Sequence, residues 1–487
     1  MAKDAPYRHS EDHIAVVSHA TRRPILISGE TLADCLHVAT STRRRLILLG
    51  TAAPGLTALL AACGSPLSSS EPVRPAQKEL VEWWAPATGT LKPPIEDLVA
   101  RANASNRQID VTVTPQSIGI TEESRAKFTA AVAAGTPPDL IYVDRYLVRS
   151  FGALQLIGSL DSNFKSSKTV KADEFWPHLI KDVTWRGSIW GTPFTTDVRV
   201  LYWHKALFAD SGLDPDKPPT TWDGVESMAD RLVKRNIDGT LERVGFVPHW
   251  GNPPSFYSYF LYLWQAGGEF LSPDESKPAF NSPEGLRALE WMVRQVQKVG
   301  GTKALMPLTT GFDSGPGRDV FSVGRLGIQY HTNNTRQVYR QALPDLKFGV
   351  GALPLPSGGR PVNYSGGFAL GIPKAARHPA GAWRLSEFLA SREAQIPFAR
   401  AVDTIPVLKP VATSVDYQQN DQDRKLFVEE LQRGAKWVPT IVGTVDVLNA
   451  FGKEFNAAID GQKPPRDALN DAAAQVQMVL NQYAQYL

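Results

Sequence analysis

Strands and helices alternate at the start of the globular part of this chain, and this alternation restricts the fold more than any other feature. Glu79–Trp84 and Asp110–Thr114 carry the apolar, aromatic and β-branched residues that predict two strands. The helix-favouring segments Ile95–Ala104 and Thr121–Ala134 follow them, and residues 137–144 predict a third strand. The sequence therefore predicts an α/β fold with a parallel, doubly wound sheet.

The length of the chain predicts more than one globular unit. A single hydrophobic core does not extend over 487 residues, so we expect two lobes. Seven of the 52 basic and five of the 49 acidic residues precede residue 63, which leaves 45 basic and 44 acidic residues, a net charge of +1. Such a balance gives no basic field for nucleic acid, and none is expected as a partner.

The N-terminal region has the composition of an export signal. Arg43–Arg45 precede the apolar run Leu46–Ala62, and the small residues before Cys63 fit a cleavage site. Leu-Ala-Ala-Cys resembles a bacterial lipobox, which implies that Cys63 becomes the first residue and carries a lipid. An ordinary signal peptide with an incidental cysteine is the alternative. The arginines fit either general secretion or twin-arginine export. Gly64–Ala76, rich in Ser and Pro, predicts a flexible tether.

A second informative stretch is Gly187–Leu213. Its glycines and Pro193 disfavour a helix at first, and the apolar and aromatic residues of Phe194–His204 then predict a strand. A short helical turn ending in glycine follows this strand. Further on, Thr221 predicts the N-cap of a helix over Trp222–Lys234.

The same stretch resembles the family 1 extracellular solute-binding proteins of bacterial ABC importers, the maltodextrin-binding class. That family carries Gly-x-x-Tyr-Gly-x-Pro, then Tyr-Asn-Lys-x-x-Phe-x-x-x-Gly-Leu, then Pro-Pro-x-Thr-Trp. Trp203 and His204 stand where the family usually has Tyr-Asn. Matching residues, here and in later elements, are Gly187, Trp190, Gly191, Pro193, Tyr202, Lys205, Phe208, Gly212, Leu213, Pro218, Pro219, Thr221, Trp222, Phe321, Gly324 and Ile328.

The resemblance implies the two-lobed periplasmic-binding-protein fold, type II, with lobes joined by several hinge crossings. We expect these crossings near Pro193, Ile328 and Gly366. The implied division is an N-terminal extension with signal peptide (1–62), a tether (63–77), a first lobe (78–195 and 329–365) and a second lobe (196–328 and 366–487).

Ligands of doubly wound sheets bind at the carboxyl ends of the strands, where this chain carries aromatic and acidic residues. An aromatic ring beside a carboxylate suits a sugar, which has an apolar face and hydroxyl groups. Structural alternatives are a core position for Trp84, an N-cap for Asp144, a local hinge hydrogen bond for Asp197 and a tight bend for the glycines. The candidate ligand-binding residues are Trp84, Asp144, Asp197, Trp250, Tyr330, Tyr364, Gly366, Gly367 and Trp437.

No enzyme motif accompanies these residues. The sequence has no nucleophile elbow, phosphate loop, dinucleotide fingerprint or His-Glu-x-x-His helix. Cysteine is absent after Cys63, and the five later histidines are not spaced as a local metal pair. We therefore expect no catalytic residue, metal or cofactor.

The resemblance implies a lipid-anchored, extracytoplasmic binding protein, expected to be a monomer, that delivers a carbohydrate to an ABC permease in the membrane. One alternative is an exported glycoside hydrolase using Asp144 and Asp197. Another is a sensor or scaffold lipoprotein of the same fold. The solute itself also has alternatives, namely a polyamine, a glycerol phosphodiester or a metal.

Overall fold

A computed structural model describes residues 78–119, 121–248, 256–309 and 315–486. The expectations for the signal peptide, for Cys63, for the tether and for Trp250 concern residues outside these ranges. Within the described ranges, no helix combines the length and the apolar character needed to cross a bilayer.

Helices and strands alternate along most of the described chain. The strands are β1 (Glu79–Ala85), β2 (Ile109–Pro115), β3 (Leu140–Asp144), β4 (Thr184–Trp185), β5 (Ser188–Ile189), β6 (Thr192–Pro193), β7 (Arg199–His204), β8 (Lys234–Arg235), β9 (Leu241–Phe246), β10 (Leu326–Thr332), β11 (Phe348–Gly351), β12 (Asn363–Tyr364), β13 (Phe368–Gly371) and β14 (Ala435–Lys436). The helices are α1 (Lys92–Ser105), α2 (Glu122–Ala133), α3 (Val148–Ala153), α4 (Asp161–Ser166), α5 (Pro177–Val183), α6 (Lys205–Asp210), α7 (Trp222–Leu232), α8 (Tyr257–Gln265), α9 (Pro283–Lys298), α10 (Gly301–Thr309), α11 (Thr335–Ala342), α12 (Pro379–Ala390), α13 (Arg392–Val402), α14 (Lys409–Ala412), α15 (Val415–Gln418), α16 (Gln422–Gln432), α17 (Thr444–Ile459) and α18 (Pro465–Gln482).

Threonine side chains cap two helices, of which the sequence predicts the cap at Thr221. Thr121 accepts a hydrogen bond from the backbone N–H of Ser124 at the start of α2. The Thr221 hydroxyl accepts one from Gly224 at 3.0 Å, at the start of α7. Each bond satisfies a backbone donor that has no partner within the helix itself.

The first lobe is built on the sheet β2-β1-β3-β13-β6. Strand β1 is parallel to β2 and β3, whereas β13 is antiparallel to β3 and β6. Helix α1 buries Ile95, Leu98 and Ala102, which recur at the helical period along one face. Helix α12 packs on β1 and β2. The predicted doubly wound α/β sheet is thus confirmed, with an antiparallel strand added late in the chain.

The second lobe is built on the sheet β11-β7-β10-β9-β8. Strand β10 runs antiparallel to β7 and parallel to β9, and β11 completes the edge next to β7. Helices α9, α17 and α18 pack together beside this sheet.

Within the described residues, the chain passes between the two lobes at three places. Residues 194–198 connect β6 to β7, and residues 365–367 connect β12 to β13. The third passage follows α13, where Ile405 forms a β-bridge with Thr196 of the first passage. Crossings expected near Pro193 and Gly366 are therefore present.

The expected crossing near Ile328 and the lobe assignment around it are wrong. Residues 329–365 were expected in the first lobe, but β10 and β11 pair within the second sheet. The segment after Gly366 was expected in the second lobe, but β13 lies between β3 and β6 of the first sheet. Pairing partners far away in sequence decide these memberships, and local composition does not specify them.

Candidate functional site

Two adjoining cavities lie between the sheets, near the carboxyl ends of β2 and β3. The larger, about 480 Å³, is lined by Ser117, Gly119, Thr121, Ser124, Asp144, Tyr146, Arg199, Tyr257, Tyr364, Phe368 and Trp437. The smaller, about 180 Å³, is lined by Arg199, Val247, Pro248, Tyr257, Ser258, Leu261, Tyr262, Tyr330, His331, Thr332 and Tyr364. Because both lists contain Arg199, Tyr257 and Tyr364, the cavities are two parts of one cleft.

A third cavity, about 770 Å³, lies on the outside of the first lobe among α1, α13 and α15. Its lining is largely exposed and charged, and none of it comes from the ends of the sheet strands. The cleft between the lobes is therefore the better candidate site.

Aromatic rings form one wall of the cleft. The ring centroid of Trp437 lies 4.9 Å from that of Tyr364 and 6.4 Å from that of Tyr146. Behind them, Trp264 stacks on Tyr364 at 5.9 Å. Trp437 is only partly buried, so part of its indole faces the larger cavity. A flat apolar surface of this kind suits the CH face of a sugar ring.

Asp144 lies on the same cavity, at the end of β3. Its carboxylate accepts a hydrogen bond from the backbone N–H of Tyr146 at 3.4 Å, which is the N-cap arrangement predicted as the alternative. Burial raises the pKa of Asp144 to about 7, and Asp197 also raises it, against the opposing effect of Arg145. Near neutral pH this carboxyl group can therefore accept or donate a hydrogen bond to a hydroxyl group.

Asp197 stands behind the cleft, within the first passage between the lobes. Its Oδ1 accepts hydrogen bonds from Arg199 Nη1 at 2.6 Å and from the backbone N–H of Gly366 at 2.9 Å. Because Gly366 belongs to the second passage, this carboxylate joins two crossing segments. Asp197 therefore makes a hydrogen bond within the hinge, which is the predicted structural alternative to ligand contact.

Gly366 and Gly367 pack closely against other residues of the protein, and neither lines either of the two cavities. Gly367 has φ +134°, and a Cβ there would stand 2.1 Å from the carbonyl oxygen of Thr195. A Cβ on Gly366 would stand 2.8 Å from the indole of Trp437. The two glycines therefore permit a tight crossing, the alternative to their role as ligand contacts.

The remaining candidates fall in different environments. Trp84 is buried in the core of the first lobe, with its ring centroid 6.4 Å from that of Phe128. Its indole N–H donates to the Glu82 carboxylate at 3.1 Å. Tyr330 lines the smaller cavity and packs on Phe246 at 5.1 Å.

Arg145 is a buried arginine that holds the passages together. It is 0% exposed and pairs through Nε with Asp182 at 3.0 Å. Its Nη2 donates to the carbonyl oxygen of Ser365 at 2.9 Å, and Nη1 donates to the carbonyls of Gly366 at 3.1 Å and Thr195 at 3.3 Å. Four hydrogen bonds from this guanidinium, one of them to a carboxylate, offset much of the cost of burying the charge.

A second cluster fixes the third passage. Asn333 accepts a hydrogen bond from the backbone of Val198 at 2.9 Å and donates to the carbonyl of Asp403. The guanidinium of Arg336 pairs with both oxygens of Asp403 at 2.6 and 2.7 Å. All three passages are thus connected by side chains whose polar groups are paired.

Contacts outside the three passages also join the lobes. Arg149 of α3 pairs with Glu275 at 3.1 Å. Trp185 donates from its indole to the carbonyl oxygen of Tyr486 at 3.0 Å. These contacts connect the two lobes in addition to the three passages.

Sequence reasoning missed two residues that line both cavities, Arg199 and Tyr257. Arg199 is the first residue of strand β7, and the residues after it are mostly apolar or aromatic. A charged residue at the start of such a strand could have been recognised from the sequence. Tyr257 lies at the start of a helix with apolar and aromatic residues on most of its faces, so the sequence does not distinguish it from core residues. No group of three or more His, Cys, Asp or Glu side chains suited to a metal occurs among the described residues.

The fold and the cleft define a two-lobed periplasmic binding protein. The structure resembles that of CpMnBP1 with mannotriose bound, with a TM-score of 0.71 and 25% identity, covering 82% of this chain and 100% of that one. A protein of Brucella abortus (strain 2308) described as a putative binding protein is 25% identical over 358 residues, covering 73% of this chain and 82% of the relative. The sn-glycerol-3-phosphate-binding periplasmic protein UgpB of Agrobacterium fabrum is 22% identical, covering 80% of this chain and 90% of the relative.

Residues 86–396, more than half of the chain, match the family described as bacterial extracellular solute-binding protein. The chain belongs to this family. Its members are binding proteins and not enzymes, so the glycoside hydrolase alternative is not supported.

Proposed function

We propose that this protein is the solute-binding component of an ABC importer and that its solute is a carbohydrate. The observation that carries the proposal is the wall formed by Trp437 and Tyr364 beside the carboxyl group of Asp144. Aromatic faces pack on the CH surface of a sugar, and a carboxyl group at the same site hydrogen-bonds to its hydroxyl groups. The mannotriose-bound relative supports this choice of solute.

Binding is coupled to closure of the lobes. The lining of the larger cavity includes Asp144 next to the first sheet and Tyr257 and Tyr364 next to the second. A ligand contacts all of them only when the lobes are together, so binding shifts the population toward the closed state. The closed protein then presents the solute to the permease, and no covalent step is required.

The proposal includes a lipid anchor at Cys63, which rests on the Leu-Ala-Ala-Cys sequence and the preceding apolar run. We expect the exported protein to begin at Cys63 with a diacylglyceryl thioether. Cys63→Ser should abolish lipidation and release the protein from the membrane fraction. Intact mass spectrometry tests this, and a mature chain that begins at another residue without lipid would refute the anchor.

The site proposal gives a prediction for Trp437. Trp437→Leu should weaken carbohydrate binding by about 1–3 kcal/mol, since it removes the flat ring from the cavity wall. Trp84→Leu is the matched control, because Trp84 is buried in the core of the first lobe. It should lower the melting temperature without weakening the affinity of the folded protein.

The experiment first needs a ligand. A thermal-shift screen of mono- and oligosaccharides, including mannobiose, mannotriose and maltose, together with polyamines and glycerol phosphodiesters, identifies one because a bound solute raises the melting temperature. Isothermal titration calorimetry of that sugar then compares the two variants. An affinity unchanged in Trp437→Leu, or lowered equally in both variants, would remove Trp437 from the site. A response to polyamines or glycerol phosphodiesters alone would refute carbohydrate as the solute.

A further inference from the structure

The cleft contains an arginine whose charge is already balanced by the protein. Arg199 lines both cavities, and its guanidinium lies 4.5 Å from the ring centroid of Tyr364. Its Nη1 donates to Asp197 Oδ1 at 2.6 Å. Among the described residues, neither Nε nor Nη2 of Arg199 makes a hydrogen bond, so these donors remain available to a solute.

Local packing fixes the arginine in this place. The side-chain amide of Asn363 bonds to both backbone groups of Arg199, accepting from its N–H at 2.8 Å and donating to its carbonyl at 2.9 Å. Asp197 is in turn fixed by the backbone N–H of Gly366. Neither member of the pair can easily turn away from the other, and such a preformed ion pair needs no reorganisation when a solute enters.

Apart from Arg125, whose Nη1 donates to the carbonyl oxygen of Gly119 in the wall of the larger cavity, the other charges around the cleft give it no positive excess. Arg145 is buried and paired with Asp182, and Asp144 contributes a further carboxyl group to the cavity wall. Burial lowers the pKa of His331 to about 4, with Arg199 acting in the same direction, so this imidazole is neutral at pH 7. Of the described residues that line the two cavities, Arg199 is the only arginine or lysine.

We propose that Asp197 sets the charge specificity of the cleft: by neutralising Arg199 it makes the site select neutral solutes and reject phosphorylated ones. Arginine binds phosphate tightly through paired N–H donors when its charge is free. With the Asp197 carboxylate at 2.6 Å, a phosphate must compete with an anion already in place. This inference deepens the proposed function and rests on it, because it concerns solutes of the same cleft.

The variant Asp197→Asn removes the negative charge of Asp197 and keeps a side chain of almost the same shape. An asparagine oxygen can still accept from the Gly366 N–H, so the crossing keeps its hydrogen bond while Arg199 loses its counter-ion. Asp216→Asn is the matched control. It removes the same charge from an exposed ion pair with Lys205 at 2.6 Å, on a residue that lines neither cavity.

Isothermal titration with sn-glycerol 3-phosphate tests the proposal, alongside the neutral sugar found by the screen. The wild-type protein and Asp216→Asn should give no saturable binding of the phosphate at millimolar concentration. Asp197→Asn should bind it at least tenfold more tightly than the wild type, in a manner weakened by added salt. The double variant Asp197→Asn/Arg199→Gln should lose this gain. Thermal melts establish that each variant is folded.

Three results would overturn the inference. These are tight phosphate binding by the wild type, no gain in folded Asp197→Asn, or an equal gain in Asp216→Asn. Failure of the carbohydrate proposal gives a different pattern. In that case the wild type binds no neutral sugar, whereas the gain of phosphate binding in Asp197→Asn is still observed.

Discussion

Gly367→Ala is expected to destabilise the protein by about 2–5 kcal/mol. Two costs combine at this position. The backbone has φ +134°, a conformation that costs an L-residue about 1–2 kcal/mol or more. In addition, the new Cβ would stand 2.1 Å from the carbonyl oxygen of Thr195, so the two passages between the lobes must move apart. Forcing atoms into a packed site typically costs about 1–3 kcal/mol.

Gly358→Ala separates the two costs. Gly358 also has a positive φ, +68°, but a Cβ there meets no heavy atom within 4 Å. We expect this control to lose only about 1 kcal/mol, the conformational cost alone. Urea unfolding with fitted midpoints and slopes measures both losses. Equal losses in the two variants would show that contact between the passages contributes nothing to stability.

Asp144→Asn is expected to become more stable relative to the wild type as the pH rises from 4.5 to 8. The pKa of Asp144 is about 7 in the folded protein and ~3.9 in an unfolded chain. Between these values the folded state holds a proton that the unfolded state has released. The wild type therefore loses stability as the pH rises through this window, and the loss is complete above the folded-state pKa.

The size of this effect has an upper limit of about 4 kcal/mol, from about three pH units at ~1.4 kcal/mol each. Asp144 lines a cavity that water can enter, which screens the charge, so about 2 kcal/mol is the expected difference. Comparing the variant with the wild type at each pH cancels the titration of all other groups. A difference in stability that stays constant from pH 4.5 to 8 would contradict the assigned pKa.

Local structure was the part of the fold most accessible from sequence. The helix that begins at Trp222 and its Thr221 cap appear as predicted, because capping and hydrophobic period act over a few residues. Lobe membership was not accessible in the same way. Strand β10 carries a composition that suits either sheet, and only its pairing with β7 and β9 decides between them.

The candidate site was predictable from the sequence only in part. Asp144, Tyr364 and Trp437 do line one cavity, because strand ends and their following loops meet there. Trp84 also lies at the end of a strand, but its side chain points into the core. Arg199 was missed since its partners, Asp197 and Tyr364, lie together only after the passages have formed. Sequence patterns identify residue types near a site, whereas side-chain direction depends on the tertiary structure.

The position of β13 has a consequence for how the chain reaches its native state. A ribosome or a secretion channel delivers the polypeptide from its N-terminus, yet residues 368–371 fill the gap between β3 and β6. Any nascent fragment that ends before this strand leaves the neighbouring edges without hydrogen-bond partners, and the first lobe is then incomplete. Completion of that lobe must therefore follow synthesis of most of the molecule.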